Sequence, residues 1–429
     1  MFGSGRRVLV VGGGGREHAL CWKLRQSPRC AALFCAPGNA GIAELAELVP
    51  IGARETDRLA DWAQRHEIDL AVIGPDDPLA DGVVDALRAR GVRAFGPTRA
   101  AAEIESSKAW AKQLCRDWDI PTAAFAVFDD RAAAHAYVDR QPGGVVVKAD
   151  GLAAGKGVSV CRTAGEAHAA IDRAMAERAF GAAGDRLVVE ELVVGRELSV
   201  TALCDGHTYR MLPFSCDHKA IFDGNQGPNT GGMGTYSPPS FVTPELAREI
   251  ELRVVAPAVR AMAQAERPFV GFLYPGVFVT TPPSGRPEIR VFEFNSRLGD
   301  PEAQVLLPRL DVDLLDLLDR AVDGRLSELP LELPLAAPAS CCVVVASEGY
   351  PGRYPTGRQI AGLERLDPDV LAFHAGTQRT ERGFETAGGR VLGVTALGAS
   401  VAEARARAYA NVPRLHFDGM HYRRDIAAA

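Results

Sequence analysis

The stretch Arg290–Glu302, reading Arg-Val-Phe-Glu-Phe-Asn-Ser-Arg-Leu-Gly-Asp-Pro-Glu, constrains this chain more than any other. Its first half alternates, which is the period of a β-strand. Val291, Glu293 and Asn295 are expected on one side, with Phe292 and Phe294 together on the other against a core. Glu293 and Asn295 then stand about 7 Å apart on a polar face. A carboxylate and an amide oxygen at that spacing suit Mg²⁺ or Mn²⁺, which prefer hard oxygen ligands and are usually held by few protein groups plus phosphates. The strand breaks at Gly299 and Pro301, and Arg297, Asp300 and Glu302 crowd the turn. An edge strand with solvated polar residues carries the same pattern, so the remaining chain has to decide between the two.

At 429 residues the chain has room for several domains of roughly 100–200 residues each. Its net charge of −6 argues against a general nucleic-acid or acidic-membrane binder. Nine cysteines form no Cys-x-x-Cys pair, and Cys341 and Cys342 are adjacent in an apolar run, as buried thiols of a reducing compartment would be. No apolar run approaches the roughly 18 residues of a membrane span. The N-terminus leads into a strand without a signal-peptide core. The expectation is a cytoplasmic protein.

Arg7–Val11 is a β-branched run followed by Gly12-Gly13-Gly14-Gly15-Arg16-Glu17-His18 and a helical pattern. Strand, glycine turn and helix can place backbone N–H groups around an anion. As a dinucleotide fingerprint the turn is poor, because its third glycine position is Glu17 or His18. Further αβ units end in Pro37-Gly38-Asn39, Gly74-Pro75-Asp76 and Gly96-Pro97-Thr98, turns that can line the carboxyl edge of a parallel sheet. Ser106 or Ser107 can cap a helix that runs through about Trp118 and stops before Pro121. Lys108 in a first turn is disfavoured by the helix dipole and reads as a phosphate contact or a solvated lysine. Val145–Lys148 is a strand, followed by Ala149-Asp150-Gly151-Leu152-Ala153-Ala154-Gly155-Lys156-Gly157 and a second strand. The spacing is not that of a Walker A loop. A glycine loop with its own lysine, tied to a strand lysine, can fold over a triphosphate.

Leu187–Val193 is an apolar strand turning at Glu190 and Glu191, suited to offering amide edges to a base and a carboxylate to a ribose. Asp217-His218-Lys219 precedes the glycine-rich run Gly227–Gly234, whose ordering costs too much chain entropy to be idle. Helical patterns cover Pro244–Ala265 and Leu310–Val322, and Val270–Val279 is a strand. Leu329–Pro338, with three prolines, reads as a linker. Cys342–Ala346, Phe373–Gly376 and Val391–Ala396 are strands of a last, small unit that closes with a helix from about Val401.

Lys108, Lys148, the glycine loop, the acidic strand end and the Glu293/Asn295 strand resemble the ordered parts of the ATP-grasp enzymes. From residue 7 to about 426 the chain resembles one group within them, the phosphoribosylamine–glycine ligase (glycinamide ribonucleotide synthetase) family. The carrying motifs are Gly14–Ala19, Ala36–Gly41, Lys148–Gly157, Asp217–Lys219, Gly227–Gly234 and Glu293–Glu302, with Phe373–Thr377 and Gly388–Leu392 in the last domain. The resemblance implies an α/β and α+β multidomain fold. Its parts would be a Rossmann-like N-terminal domain (1–102), an ATP-grasp lid subdomain with its leading helix (103–192), an ATP-grasp core with the metal strand (193–330) and a small α+β C-terminal domain (331–429). It implies a mobile lid, and ATP-dependent joining of glycine to 5-phosphoribosylamine through glycyl phosphate, in purine biosynthesis.

By the same resemblance ATP lies against Lys108, Lys148, Gly151, Gly155, Lys156, Gly157, Glu190, Glu191, Val193 and Glu197. Glu293 and Asn295 hold Mg²⁺ or Mn²⁺. Asp217, Asn229, Thr230, Gly231, Gly232, Arg297 and Asp300 hold substrates, with Gly14, Gly15, Arg16, Glu17 and Asn39 near the ribose phosphate. Lys148, Asp217 and Arg297 are the catalytic candidates. The partners implied are small molecules only, in a monomer or weak homodimer. Ser296 and Leu298 depart from the Cys and Phe common in the family. Tyr274-Pro275-Gly276 lacks the second metal carboxylate that many ATP-grasp sites carry, so the metal count stays open. Another ATP-grasp ligase or carboxylase shares the lid and metal strand. A nicotinamide-dependent oxidoreductase rests on the Gly12–Gly15 turn alone.

Overall fold

The computed structural model describes residues 5–153, 157–281 and 285–428. Arg6–Gly12 is the middle strand of a five-stranded parallel sheet, between Cys30–Pro37 and Leu70–Ile73, with Glu47–Leu48 and Ala94–Phe95 outermost. Val8 and Val10 enter one core cluster while Leu9 and Val11 enter another. A strand buried on both faces must be apolar throughout, which is why Val8–Val11 reads as a continuous run. The glycine turn after it opens the helix Gly15–Leu24, as in doubly wound folds.

A four-stranded antiparallel sheet follows, ordered Phe125–Phe128, Leu187–Glu191, Val145–Ala149, Val158–Cys161. Helices Arg131–Val138 and Ala164–Ile171 cover one face, where Ala134, Val138, Val145, Val147, Ala149, Ala167, Ile171, Leu187 and Val189 form one core. Alternation along the strands therefore turns Lys148 and Glu190 to the opposite face. Both expected strands of this hairpin are present, and Ala154, Gly155 and Lys156 of the loop between them lie outside the described residues.

The long strand Val270–Thr280 pairs along one edge with Arg196–Ser199 and Ala202–Asp205, and along the other with Glu288–Asn295. The last pairing corrects the expected alternation. Gly276 opposes Glu293 while Val277 opposes Val291, so Phe292 is an extra residue in a β-bulge. Val291 and Phe294 are buried in the core with Ile289, whereas Phe292 packs on Phe278, its ring over Gly276. A strict period of two had set Phe292 beside Phe294 and Val291 on the polar face. The bulge reverses the phase once, which keeps apolar contacts on both sides of the kink.

The helical stretch expected at Leu310–Val322 begins only at Leu314, and a separate helix precedes it. A helix runs Glu302–Arg309, and a second starts at Leu314 because Asp313 caps it, accepting from the N–H groups of Leu315 and Asp316. The C-terminal sheet also departs from the expected boundaries. Ala339–Ser347 pairs with Arg390–Gly398 on one side and with Gly234–Ser237 on the other, and Cys216–Asp217 adds beyond that. Two strands from the middle of the chain thus complete the sheet of its last domain, carrying Asp217 and the glycine-rich run to the seam.

The first and last domains meet at two buried histidines. The His374 backbone N–H donates to His18 Nδ1 at 2.8 Å, so that nitrogen has no proton of its own. Burial first, and His374 beside it, lower the His18 pKa to about 3, and burial lowers that of His374 to about 4. Burial likewise takes His218 to about 4. All three bind protons more weakly folded than unfolded, so their contribution to stability is complete above about pH 6.5 and is lost as the pH falls toward 4. The urea midpoint is expected to drop between pH 7 and pH 4.5, and to drop less steeply in His18→Asn. Equal steepness in the two proteins excludes His18 as a contributor.

Candidate active site

Lys148 Nζ donates to the Phe292 carbonyl at 2.6 Å and pairs with Glu190 Oε1 at 2.7 Å. Lys112, from the helix Lys108–Asp117, takes the other oxygen of Glu190 at 2.8 Å. Glu190 is therefore a buried counter-ion between two lysines, and of the two acids at this strand end its carboxylate is the one already paired. Glu191, one residue on, is exposed at the strand end, and Val193 is half-buried. Lys108 is the first residue of its helix and donates to the Gly151 carbonyl at 2.6 Å. Asp150 offsets that cation at the helix start: its carboxylate accepts from the Ala109 N–H at 3.0 Å and from Ser107. Gly157 closes the loop through its carbonyl, which accepts from the Ala149 N–H.

Lys219 stands 3.5 Å from Glu293 Oε1 and 3.6 Å from Glu197 Oε2, over the Phe292 ring. The bulge that displaced Phe292 thus gives Lys219 an aromatic floor. Burial disfavours charge on Glu293, but Lys219, Lys148, Lys108 and Arg297 outweigh it and hold the carboxyl below its ordinary range. Lys219 is held above its own, against burial, by Glu293 and Glu197. Asn295 is buried two positions on and donates to the Tyr274 carbonyl at 3.3 Å. An ionised carboxylate and an amide oxygen fit a hard divalent ion. Among the described residues no three His, Cys, Asp or Glu side chains converge on a metal position. An ion at Glu293 and Asn295 would take most of its ligands from elsewhere.

Arg297 pairs with Glu105 at 3.2 Å, and Ser296 donates to the other oxygen of Glu105 through its N–H and hydroxyl, at 2.8 and 2.6 Å. Ser296 thereby secures the acid that orients Arg297. Glu302, missed as a site residue, turns back under the strand and accepts from Tyr274 Oη at 2.7 Å and Ser199 Oγ at 3.2 Å. Tyr274 supplies no carboxylate but fixes one. Burial, then Glu302 nearby, push the Asp217 carboxyl well above its usual range, although Lys219 opposes them. Gly232 has φ +117°, and a Cβ there would lie 2.7 Å from Asp217 Oδ1, so only glycine lets the loop approach this closely. Thr230 ties the loop to the Lys219 carbonyl at 2.8 Å, leaving Asn229 and Gly231 exposed.

At the Gly12–Gly15 turn the structure alters the expectation. Glu17 caps its own helix, accepting from the Gly14 N–H and from Arg16 Nε, both at 2.5 Å. Arg16 also donates to the Leu298 carbonyl at 3.1 Å. Asn39 donates to the Gly13 and His374 carbonyls and accepts from the Gly41 and Ile42 N–H groups, which fills its hydrogen-bonding capacity. Arg16, Glu17 and Asn39 therefore face inward as braces. The Gly14 N–H and carbonyl are taken by Glu17 and by the His18 N–H, so the backbone left to a ligand here is that of Gly15. Asp300 Oδ2 already accepts from the Arg16 N–H at 3.2 Å, and Arg390 holds Asp300 from the C-terminal domain through its carbonyl at 2.6 Å. Arg390, Lys219, Lys112, Glu105 and Glu302 escaped the sequence reading. The Asp217-His218-Lys219 run was a signal for Lys219. Glu302 was visible in its turn and Arg390 lies within the Gly388–Leu392 motif, each without a site role, and nothing local marked Lys112 or Glu105.

Family models match almost the whole chain: phosphoribosylglycinamide synthetase N domain over residues 6–105, its ATP-grasp (A) domain over 106–303 and its C domain over 340–429. Phosphoribosylamine–glycine ligase of Ralstonia nicotianae is 45% identical over 98% of both chains. That of Rhodopirellula baltica is 47% identical over 98% of this chain and 97% of its own. The crystal structure of phosphoribosylamine–glycine ligase from Thermotoga maritima superposes with a TM-score of 0.85 at 29% identity, covering 98% of this chain and all of that one. A biotin carboxylase domain of Hydrogenobacter thermophilus 2-oxoglutarate carboxylase, solved with MgADP and bicarbonate, shares the fold alone, at TM-score 0.75 and 16% identity over 97% of this chain and 91% of its own. The parallel sheet with its glycine turn, the antiparallel lid sheet and the lysine-ringed Glu293 strand are thus the architecture of one lineage, and the chain belongs to the phosphoribosylglycinamide synthetase family of ATP-grasp ligases.

Proposed function

We infer that the chain catalyses ATP-dependent ligation of glycine to 5-phosphoribosylamine, giving glycinamide ribonucleotide, ADP and phosphate. The single observation that carries this reading is the ring of Lys219, Lys148, Lys108 and Arg297 around one ionised carboxylate, Glu293, in a chain of this family. Cations already held in place about one carboxylate are suited to receive a polyphosphate. The match to phosphoribosylamine–glycine ligases along their full length disfavours the alternative ligase and carboxylase readings and the oxidoreductase reading.

The chemistry assigns work to each part. Glycine's carboxylate attacks the γ-phosphorus, the bond to the ADP oxygen breaks, and glycyl phosphate forms. Lys148 and Lys108 offset charge on the phosphoryl oxygens as this proceeds. Glu293 and Asn295 would hold a divalent ion, Mg²⁺ or Mn²⁺, whose chemistry is to neutralise phosphate charge further. Arg297, braced by Glu105, binds a substrate anion bidentately. The amine of phosphoribosylamine then attacks the glycyl carbonyl, phosphate leaves, and the nitrogen gives up a proton. Asp217, whose proton affinity is raised, stands by the glycine-rich loop to accept it. Backbone at Gly14 and Gly15 borders the ribose phosphate, with Glu197 and Val193 on the nucleotide side. Nine free thiols support a reducing, cytoplasmic setting. No described helix is long and apolar enough to cross a membrane.

The direct test is ADP release with glycine, with and without freshly made phosphoribosylamine. Release that tracks amide product and requires both substrates is expected; release indifferent to phosphoribosylamine overturns the assignment. Glu293→Gln should lower turnover by more than about tenfold and raise the Mg²⁺ concentration needed for half activity. An unchanged Mg²⁺ titration removes Glu293 as a metal ligand. Asp217→Asn and Arg297→Met should depress turnover while ATP affinity by calorimetry stays near that of the parent. A matching loss of ATP binding would move these two residues into the nucleotide subsite.

A further inference from the structure

Away from this site, two histidines face each other on the helices that cover the lid sheet. His135 lies on Arg131–Val138 and His168 on Ala164–Ile171, both helices anchored by apolar residues of the same core. The ring centroids are 4.5 Å apart, the planes differ by 20°, and the two Nδ1 atoms are in contact. Rings so close and so nearly parallel, touching through one atom each, meet edge to edge. On the far sides, His135 Nε2 lies 3.0 Å from Asp172 Oδ1 and His168 Nε2 lies 2.8 Å from Asp139 Oδ1.

The outer contacts decide the tautomers. An ionised carboxylate only accepts, so each Nε2 carries a hydrogen. In neutral rings both Nδ1 atoms are then bare lone pairs aimed at one another. That arrangement repels unless a cation lies between them, and the candidates are a proton and a metal ion. Imidazoles whose outer N–H is held by a carboxylate are oriented as metal ligands are, the carboxylate raising the basicity of the ligating nitrogen. The side chains are 25% and 30% exposed, so an ion can enter from solvent.

We propose that His135 and His168 form a binding site for a divalent transition-metal ion of the Zn²⁺ class, ligated by the two Nδ1 atoms and braced by Asp172 and Asp139. Imidazole donors select Zn²⁺, Cu²⁺ or Ni²⁺ over Mg²⁺, so the site is chemically distinct from the oxygen ligands at Glu293. Zn–N bonds of about 2.0–2.1 Å require the rings to part from their present contact, a small rotation of two half-exposed side chains. The protein supplies two ligands and water the rest, so binding is weaker than in a closed structural site. An ion here would tie one lid helix to the other.

Calorimetric titration of Zn²⁺ into the full chain, with millimolar Mg²⁺ present throughout, tests the site. One Zn²⁺ is expected to bind the parent with a rise in melting temperature, and both signals should vanish in His135→Ala and His168→Ala. Because alanine also removes ring packing, Asp172→Asn and Asp139→Asn are the finer probes. They keep both rings, and each should weaken Zn²⁺ by about 10–100-fold. Ligase turnover without Zn²⁺ should be unchanged in all four, which certifies their folding. Histidine variants that titrate like the parent overturn the proposal. So does a parent without Zn²⁺ binding up to millimolar, in which case the pair shares only a proton.

Discussion

The Asp300 carboxylate is where three domains become one site. It accepts the Arg16 N–H at the start of the first domain's helix, accepts from Gln304 at 2.8 Å on the helix that follows it, and lies 3.5 Å from Arg390 of the last domain. Arg390 also donates to the Gly231 carbonyl at 2.8 Å, which fixes the loop beside Asp217. Burial disfavours the charge on Asp300, yet Arg390 and Arg16 hold its carboxyl below the ordinary range. A buried charge with several partners tolerates little displacement, since losing any one leaves the remainder uncompensated. The relative placement of the glycine turn, the Glu293 strand and the substrate loop rests on that intolerance.

A second consequence concerns electrostatics on the face of the lid sheet. Buried lysines are expensive unless paired. The protein pairs them twice over, Lys112 and Lys148 through Glu190 and Lys219 through Glu293 and Glu197. These pairings hold the cations in place before any ligand arrives. Pre-placed charge needs little reorganisation when a phosphoryl group is transferred, and that is how such a site lowers a barrier. The acids that pair the lysines therefore belong to the catalytic arrangement even where they touch no substrate.

Much of this was legible from residue order. Val8–Val11 and Val145–Val147 are strands because both are continuous apolar, valine-rich runs, and Lys148 was conspicuous as a charge ending one of them. Ser107 as a cap, and Lys108 in the first turn behind it, follow from short-range hydrogen bonding alone. The ATP-grasp ligase reading came from a resemblance carried by such local motifs, and the comparisons show that family. The misreadings share one feature, dependence on a partner strand or a distant group. The bulge at Phe292 exists because Val270–Thr280 sets the register opposite, and Asn39 is filled by carbonyls from the glycine turn and from His374, 335 positions away.

By itself, then, the order of residues determined the elements, their apolar faces and the kinds of chemical group each carries to its ends, because periodicity, capping and turn preference act over a few residues. Tertiary structure alone decided which groups are spent and which are free. It paired Glu190 with two lysines, brought Glu302 and Tyr274 beneath Asp217, and placed Asp300 at a helix start 284 residues earlier. Charge and hydrogen-bond capacity are settled by whatever lies within a few ångströms in space, and distance along the chain carries no record of it.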